Sequence, residues 1–145
     1  MIHHGDAAQL SAFMTISGFN WDPNDCTRTI GLEPSEIRRR PERMVRDGKR
    51  LIAWSIGFRR KEFDDTNDAL SELMSMVWGH REEIKSFVRN QELEISFECN
   101  VTIWKNRPLY CLGPEVLGKL AWFECEFVLD IFDYSEDGEN EDDAE

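Results

Sequence analysis

The sequence predicts a single α+β domain, a mixed, mostly antiparallel sheet of about five strands with helices packed mainly on one face. Two patterns and the chain length support this prediction. Residues 93–103 alternate apolar and polar side chains without a break, which is typical of an antiparallel strand with one wet face. Residues 67–90 place apolar side chains at helical spacing. At 145 residues, the chain is long enough for one domain with its own core.

The first third of the chain contains a strand followed by a short helix. Residues 13–19 alternate in the manner of a strand. Asp22 fits the N-cap of the helix, and Pro23 fits its first turn, where the missing proline N–H costs nothing. Gly31 suits the residue that ends the helix, and Pro34 marks the stop.

A basic stretch and a long helical region follow. Residues 35–50 are interrupted by proline and glycine, so we expect a loop or a broken turn of helix there. Residues 51–58 predict a strand. Thr66 or Asn67 can cap the next helix, which Gly79 interrupts. We therefore expect either a kink or two helices joined at this glycine.

The last third completes the predicted order β-α-β-α-β-β-α-β. Residues 109–112 follow a turn and predict a short return strand. Gly113 opens a third helix. Residues 126–134 are apolar on both faces, which favours a central strand. Strands joined by helices, together with one hairpin, predict a mixed sheet.

Composition bounds the domain and its location. We predict a flexible N-terminus over residues 1–11, the domain over residues 12–134 and a disordered acidic tail over residues 135–145. No apolar run is long enough to span a membrane, and no export signal precedes the domain, so we expect a cytoplasmic protein. The four cysteines form no CxxC pair, so we expect reduced, buried thiols.

Several stretches together resemble a known family. These are the segment TIGLEP at residues 29–34, the strand around Trp54, the amphipathic helix with Leu70 and Leu73, and the closing LDIFDY at residues 129–134. In order and spacing they resemble the bacterial domain of unknown function 4279 family, over about residues 12–134. The resemblance implies a small bacterial α+β protein and supplies no catalytic residues. It also implies an association with toxin genes, where some such proteins act as immunity proteins. The arginine-rich residues after Pro34 depart from the family pattern, which has a lysine–glycine pair there.

No motif in the chain predicts catalysis. Phosphate-cradling glycine loops and the GxSxG elbow are both absent from the sequence. His80 is the one histidine inside the predicted domain, and a lone histidine beside a helix-breaking glycine is more often a cap or a surface residue. The cysteines lack zinc-site spacing. We therefore expect no enzymatic activity, no metal and no cofactor.

The basic stretch is the patch with functional promise. Residues 28–61 hold eleven Lys/Arg against four Asp/Glu, although the whole chain carries a net charge of -12. Such clusters bind phosphates or acidic partners. A solvated face paired with nearby acids is an equally good interpretation of the same residues. The candidate binding residues are Arg38, Arg39, Arg40, Arg43, Arg46, Lys49, Arg50, Arg59, Arg60 and Trp54.

The leading functional hypothesis is a non-enzymatic protein-interaction module, monomeric or homodimeric. Its specific version is an immunity protein whose acidic surface mimics nucleic acid toward a basic toxin. The alternative is binding of a nucleic acid or another phosphorylated ligand through residues 38–50. A third hypothesis, an enzyme of unrecognised type, is disfavoured by the scarcity of histidine.

Overall fold

A computed structural model of the protein describes residues 7–39 and 51–135, which form a five-stranded mixed sheet with helices beside it. The strands are β1 Gln9–Phe19, β2 Glu36–Arg39, β3 Leu51–Glu62, β4 Glu94–Ile103 and β5 Glu126–Asp133. The helices are α1 Pro23–Ile30, α2 Thr66–Val77, α3 Arg81–Gln91 and α4 Pro114–Phe123, with a 3₁₀ turn, Trp78–His80, between α2 and α3.

The strands lie in the order β2-β3-β1-β4-β5. Strand β1 is central and runs antiparallel to both β3 and β4, and β2 pairs antiparallel with β3. Strand β5 pairs parallel with β4, which requires a crossover, and α4 supplies it. The fold is therefore the predicted α+β class with a mixed, mostly antiparallel sheet.

One face of the sheet carries the hydrophobic core. Met14, Trp54 and Phe97 are fully buried on this face, each on a different strand. The buried side of α2, including Leu70 and Leu73, packs into the same cluster. The strand residues of this cluster all share one face of the pleat, so the helices lie on that face, as the sequence predicted.

The local helix signals are confirmed. The Asp22 carboxylate accepts a hydrogen bond from the Asn24 N–H at 2.9 Å, and Pro23 opens α1. Gly31 ends the helix at φ +83°, a conformation that glycine adopts without a steric penalty. The predicted break at Gly79 is the 3₁₀ turn that separates α2 from α3.

The predicted N-terminal boundary is wrong. Strand β1 begins at Gln9 rather than at residue 13, and Ala8 and Leu10 are buried in the core. Residues 8–11 therefore belong to the domain rather than to a flexible segment. The alternation of core-facing and outward-facing residues is hard to recognise in the sequence here. The core-facing Ala8 and Ala12 are small, and Gln9 and Ser11 face away from the core that Leu10 enters.

Two predictions in the connecting segments also need correction. Residues 36–39 form β2, where a loop or broken helical turn was expected. The N-cap of α2 is Asp65, which accepts from the Asp68 N–H at 2.7 Å, rather than Thr66 or Asn67. The Thr66 hydroxyl instead donates to the Cys111 carbonyl at 2.7 Å.

Residues 109–112 do not form a return strand. Leu109 makes a single bridge to Asp65, and its neighbours are held by side chains. The Asn67 side chain accepts from the Gly113 N–H at 2.8 Å, immediately before α4. Proline at position 108 removes one donor, which limits strand pairing in this segment.

Strand β5 lies at the edge of the sheet, and the predicted central position is wrong. Its only partner strand among the described residues is β4. Leu129, Ile131 and Phe132 are 38–47% exposed. The apolar pattern on both faces therefore reflects an exposed edge rather than burial between two neighbours. Of the predicted tail, Ser135 lies within the described residues and bonds Asp133, and the remainder lies outside them.

Candidate functional site

The sheet face opposite the core carries a row of polar side chains. Thr15 on the central strand forms a 2.8 Å hydrogen bond with the Ser55 hydroxyl on β3. On the other side, the Thr15 hydroxyl lies 3.4 Å from a Glu98 oxygen on β4. Thr15 and Ser55 are themselves buried. The row ties three strands together on the face opposite the core.

A β-bulge places two arginines beside this face. The register between β1 and β3 shifts so that Arg59 and Arg60 together lie opposite Ser11. Arg60 adopts φ +53°, and its backbone N–H donates to the Ser11 hydroxyl at 3.0 Å. Bulges bend a strand and redirect its side chains, and a non-glycine residue at positive φ is uncommon.

The two guanidinium groups differ in their partners. The Arg59 guanidinium lies over the Phe13 ring, 5.1 Å from its centroid, and 3.4 Å from a Glu36 oxygen. Glu36 also lies 3.5 Å from Arg38. Within residues 7–39 and 51–135, no carboxylate pairs with Arg60. Arg60 therefore carries the less compensated charge of the two.

A cleft of about 340 Å³ lies between these arginines and the end of β5. Trp104 and Tyr134 stack at one end, with ring centroids 5.1 Å apart and planes inclined by 20°. The Trp104 indole N–H donates to the Gln9 amide oxygen at 3.1 Å, which fixes the ring. We call this the arginine–aromatic cleft. Its lining residues are Ser11, Arg59, Arg60, Asn100, Thr102, Trp104, Phe132 and Tyr134.

A second feature, the β5 groove, lies on the other side of β5. Leu129 and Ile131 are the β5 residues that face the helix side, because they pair in register with the buried Cys99 and Val101. No helix of the described chain covers them fully, and Leu117 of α4 is 50% exposed nearby. The groove has a volume of about 310 Å³. Its lining residues are Thr66, Tyr110, Cys111, Leu112, Leu117, Phe127 and Leu129.

Comparison with known proteins then places the chain. The model of one family, described as a domain of unknown function (DUF4279), matches residues 8–134. The chain belongs to this family. No curated protein and no solved structure matches it. The match begins at Ala8, so the DUF4279 domain includes the whole of β1 and ends just after β5, which agrees with the core.

The structure of this DUF4279 protein separates the basic residues among the predicted binding residues into three groups. Arg59 and Arg60 line the arginine–aromatic cleft. Arg38 and Arg39 are exposed on the edge strand β2. The other basic residues lie outside the described residues, namely Arg40, Arg43, Arg46, Lys49 and Arg50.

Trp54 is the predicted binding residue that the structure contradicts. Its side chain is fully buried, and its indole N–H donates to the Thr27 hydroxyl at 3.0 Å. It therefore anchors α1 to β3 and presents no ring for a ligand. The aromatic residues that line the cleft together with Arg59 and Arg60 are Trp104, Phe132 and Tyr134. The sequence gives no local signal for this arrangement, because they join Arg59 and Arg60 only through the strand order.

Burial or hydrogen bonding fixes the state of several titratable groups in the DUF4279 domain. Burial raises the pKa of the Cys26 and Cys99 thiols to about 12, so neither is a ready thiolate nucleophile. Cys111 is exposed, contrary to the expectation of buried thiols. His80 donates from Nδ1 to the Ile30 carbonyl at 3.0 Å, which satisfies the end of α1.

The described residues contain neither a metal-binding cluster nor a membrane-spanning helix. No group of three or more His, Cys, Asp or Glu side chains is placed to hold a metal ion within residues 7–39 and 51–135. None of the helices in those ranges is long and apolar enough to cross a membrane.

Proposed function

We propose that this DUF4279 protein is a non-enzymatic interaction module whose β5 edge receives an extended segment of a basic protein partner. The observation that supports this is the position of β5. It is an edge strand of eight residues, and half-exposed apolar side chains lie on both of its faces. An edge strand offers unpaired N–H and C=O groups, which an added strand can pair with.

The other edge of the sheet shows the contrast. The described part of strand β2 has four residues, and Glu36, Arg38 and Arg39 give it charged side chains. Short, charged edges discourage the addition of a strand. Strand β5 lacks this protection at Leu129 and Ile131. An exposed apolar edge of this kind is a feature of surfaces that a partner covers.

The charge near β5 favours a basic partner over a second copy of the chain. Glu126 and Asp130 lie on the strand, and the chain carries a net charge of -12. Of the two central registers for a two-fold antiparallel pair of β5 strands, the one centred on residue 130 would place the two Asp130 carboxylates opposite each other. Opposed like charges destabilise strand pairs, whereas basic side chains on an added strand would pair with these acids.

The specific version of this proposal is an immunity protein that occupies a basic surface of a toxin. The family match alone does not carry it, because the family is defined without a function. It is supported by the acidic charge and the exposed edge together. Both are properties that a small neutralising partner of a nucleic-acid-binding protein needs.

The experiment selects extended peptides from a random display library against the whole chain. We expect enrichment of sequences that alternate apolar residues with Lys or Arg. Leu129→Lys should weaken the selected peptides about tenfold or more, because it places a charge in the β5 groove. Thr29→Lys, on the exposed side of α1, is the control with the same change in charge.

The possible outcomes distinguish a basic partner at β5 from a second copy of the chain. Enrichment of acidic peptides, or equal losses in the two lysine variants, would refute the β5 proposal. A stable dimer in sedimentation that Leu129→Lys dissolves would show that the occupant is a second copy. For the immunity version, coexpression with a toxin encoded beside this gene should restore growth, and Leu129→Lys should abolish the rescue.

A further inference from the structure

We infer that the arginine–aromatic cleft is a binding site for a nucleotide, a phosphorylated ligand with a planar ring. This site is separate from the β5 groove and does not depend on the proposed partner. The inference rests on two kinds of group that face the same cleft of about 340 Å³. Cavities of about 300–1,000 Å³ are typical of small-molecule sites, so the volume suits one nucleotide rather than a larger ligand.

The phosphate end is formed by the bulge between β1 and β3. Arg60 lines the cleft without a carboxylate partner among the described residues, and Arg59 lies beside it. Guanidinium groups hold phosphate oxygens through paired N–H donors. Glu36 already offsets part of the Arg59 charge, so Arg60 is the principal anchor.

The ring end is formed by aromatic side chains from two separate segments. Tyr134 is 47% exposed although it stacks on Trp104, and Phe132 is exposed to the same extent. Two adjacent half-exposed aromatic rings on a polar sheet face contribute little to the core. Such rings offer surfaces on which a nucleobase stacks.

Polar groups between the two ends can select the ligand. Asn100 and Thr102 lie on β4 and line the cleft floor. An amide supplies both donors and an acceptor, and a hydroxyl supplies one of each, as a base edge or ribose requires. The arrangement of arginine, amide and aromatic groups therefore matches the phosphate, sugar and ring of one nucleotide.

Backbone strain marks the same place. Arg60 holds φ +53°, in the left-handed region that non-glycine residues rarely adopt. Asn or Gly would adopt this conformation more readily than arginine. This conformation belongs to the β-bulge that places Arg60 beside the cleft.

A free nucleotide and a nucleotide within single-stranded nucleic acid share this chemistry. We assign the free form, because the described cleft holds one ring. The test titrates the full chain by calorimetry with AMP, adenosine, inorganic phosphate and short oligothymidylates. We expect AMP to bind, and we expect adenosine and phosphate each to bind at least about tenfold more weakly, since each lacks one half of the recognition.

Matched variants locate the site. Arg60→Gln keeps the length of the side chain and should weaken AMP about tenfold, whereas Lys61→Gln should leave its affinity unchanged. Lys61 is the adjacent cation, but it pairs with Glu72 at 2.5 Å and does not line the cleft. Tyr134→Ala should weaken AMP and leave the affinity for phosphate unchanged. Arg60→Lys should retain part of the affinity, and circular dichroism should confirm that each variant is folded.

Two results would overturn the inference. The first is an absence of AMP binding at millimolar concentration by the folded chain. The second is an equal loss in Arg60→Gln and Lys61→Gln, which would indicate general electrostatics. An affinity that rises steeply with oligonucleotide length would show that the ligand is single-stranded nucleic acid rather than a free nucleotide. Leu129→Lys should not change AMP binding, so failure of this inference and failure of the β5 proposal are distinguishable.

Discussion

Replacing Gly57 with alanine is expected to disrupt the pairing of the two longest strands. Gly57 lies opposite Phe13 in the register of β1 and β3. A Cβ atom at Gly57 would lie 1.9 Å from the Ala12 carbonyl oxygen and 2.8 Å from the Phe13 Cα. Both obstacles are backbone atoms of the central strand, so no side-chain rotation relieves the contact.

The cost follows from this geometry. Contacts of Cβ below 3.0 Å are essentially never found, so the strands must separate by about 1 Å at this point. Overpacking of side chains costs about 1–3 kcal/mol, and an obstacle made of backbone belongs at or above the upper end. A domain of this size is stabilised by about 5–15 kcal/mol in all. Gly57→Ala should therefore remove a large fraction of the stability.

Gly118→Ala is the matched control, with the same chemical change and the opposite expected sign. Gly118 lies inside α4, and nothing lies within 4 Å of its added Cβ. Alanine in a helix interior is favoured over glycine by about 0.5–1 kcal/mol. Urea denaturation followed by circular dichroism measures both variants, and the free energies of unfolding should differ by about 4 kcal/mol. A loss below about 1 kcal/mol in Gly57→Ala would refute the register of β1 and β3.

Three further measurements test particular contacts. Native protein treated with a thiol reagent should react first at the exposed Cys111 and more slowly at the partly buried Cys125, whereas Cys26 and Cys99 should react only on unfolding. Cys111→Ser should remove the fastest phase, and reaction of more than two thiols in the native protein would contradict the burial pattern. Asp65→Ala should lower the free energy of unfolding by about 1 kcal/mol, because it removes the N-cap of α2. Asp68→Ala should lower it less, because Asp68 contributes only its backbone N–H to the same hydrogen bond. Hydrogen bonds from Ser135, together with the Arg107 guanidinium, hold the pKa of Asp133 below its ordinary value. Asp133→Asn should therefore lower the melting temperature at neutral pH. The difference should begin to shrink as the pH falls toward about 3.9, where the unfolded carboxylate takes up a proton, and should vanish only below the lowered pKa of the folded protein; a difference that persists in stronger acid would exclude the charge as its cause.

Signals confined to a few residues were sufficient to predict part of this fold. Asp22, Pro23 and Gly31 each act on their own backbone neighbours, so their types alone specify where α1 begins and ends. The break at Gly79 follows from the same local logic. The unbroken alternation of β4 also identified its buried face correctly.

Properties that depend on neighbouring strands could not be read in this way. The apolar pattern of β5 is compatible with a central strand and with an exposed edge, and only the strand order decides between them. The start of β1 was hidden because Ala8 is small, although Leu10 is wholly buried. Trp54 was misassigned for the same reason, since burial of a ring depends on which face of the strand meets the helices.

The candidate cleft shows how far charge clustering alone can lead. The concentration of arginines drew attention to Arg59 and Arg60, which line the cleft, but the aromatic residues that line it with them come from the residue just after β4 and from the end of β5. Trp104 and Tyr134 are brought to the bulge because β1 lies between β3 and β4 and because β5 extends the sheet beyond β4. The predicted aromatic binding residue was instead Trp54, which is close to the arginines in sequence but is buried in the core.

The alternation of β5 relates the two proposed surfaces to each other. Phe132 pairs in register with Thr102 and lines the cleft, whereas Leu129 and Ile131 face the helix side, where Leu129 lines the β5 groove. Side-chain substitutions on one face therefore leave the other largely intact, which is why Leu129→Lys and Arg60→Gln can be interpreted separately. The backbone of β5 is nevertheless common to both faces. A partner strand paired along its free edge would lie next to Phe132 and form a new wall of the cleft. If both ligands bind, each must then change the affinity of the other by the same factor, because such coupling is reciprocal.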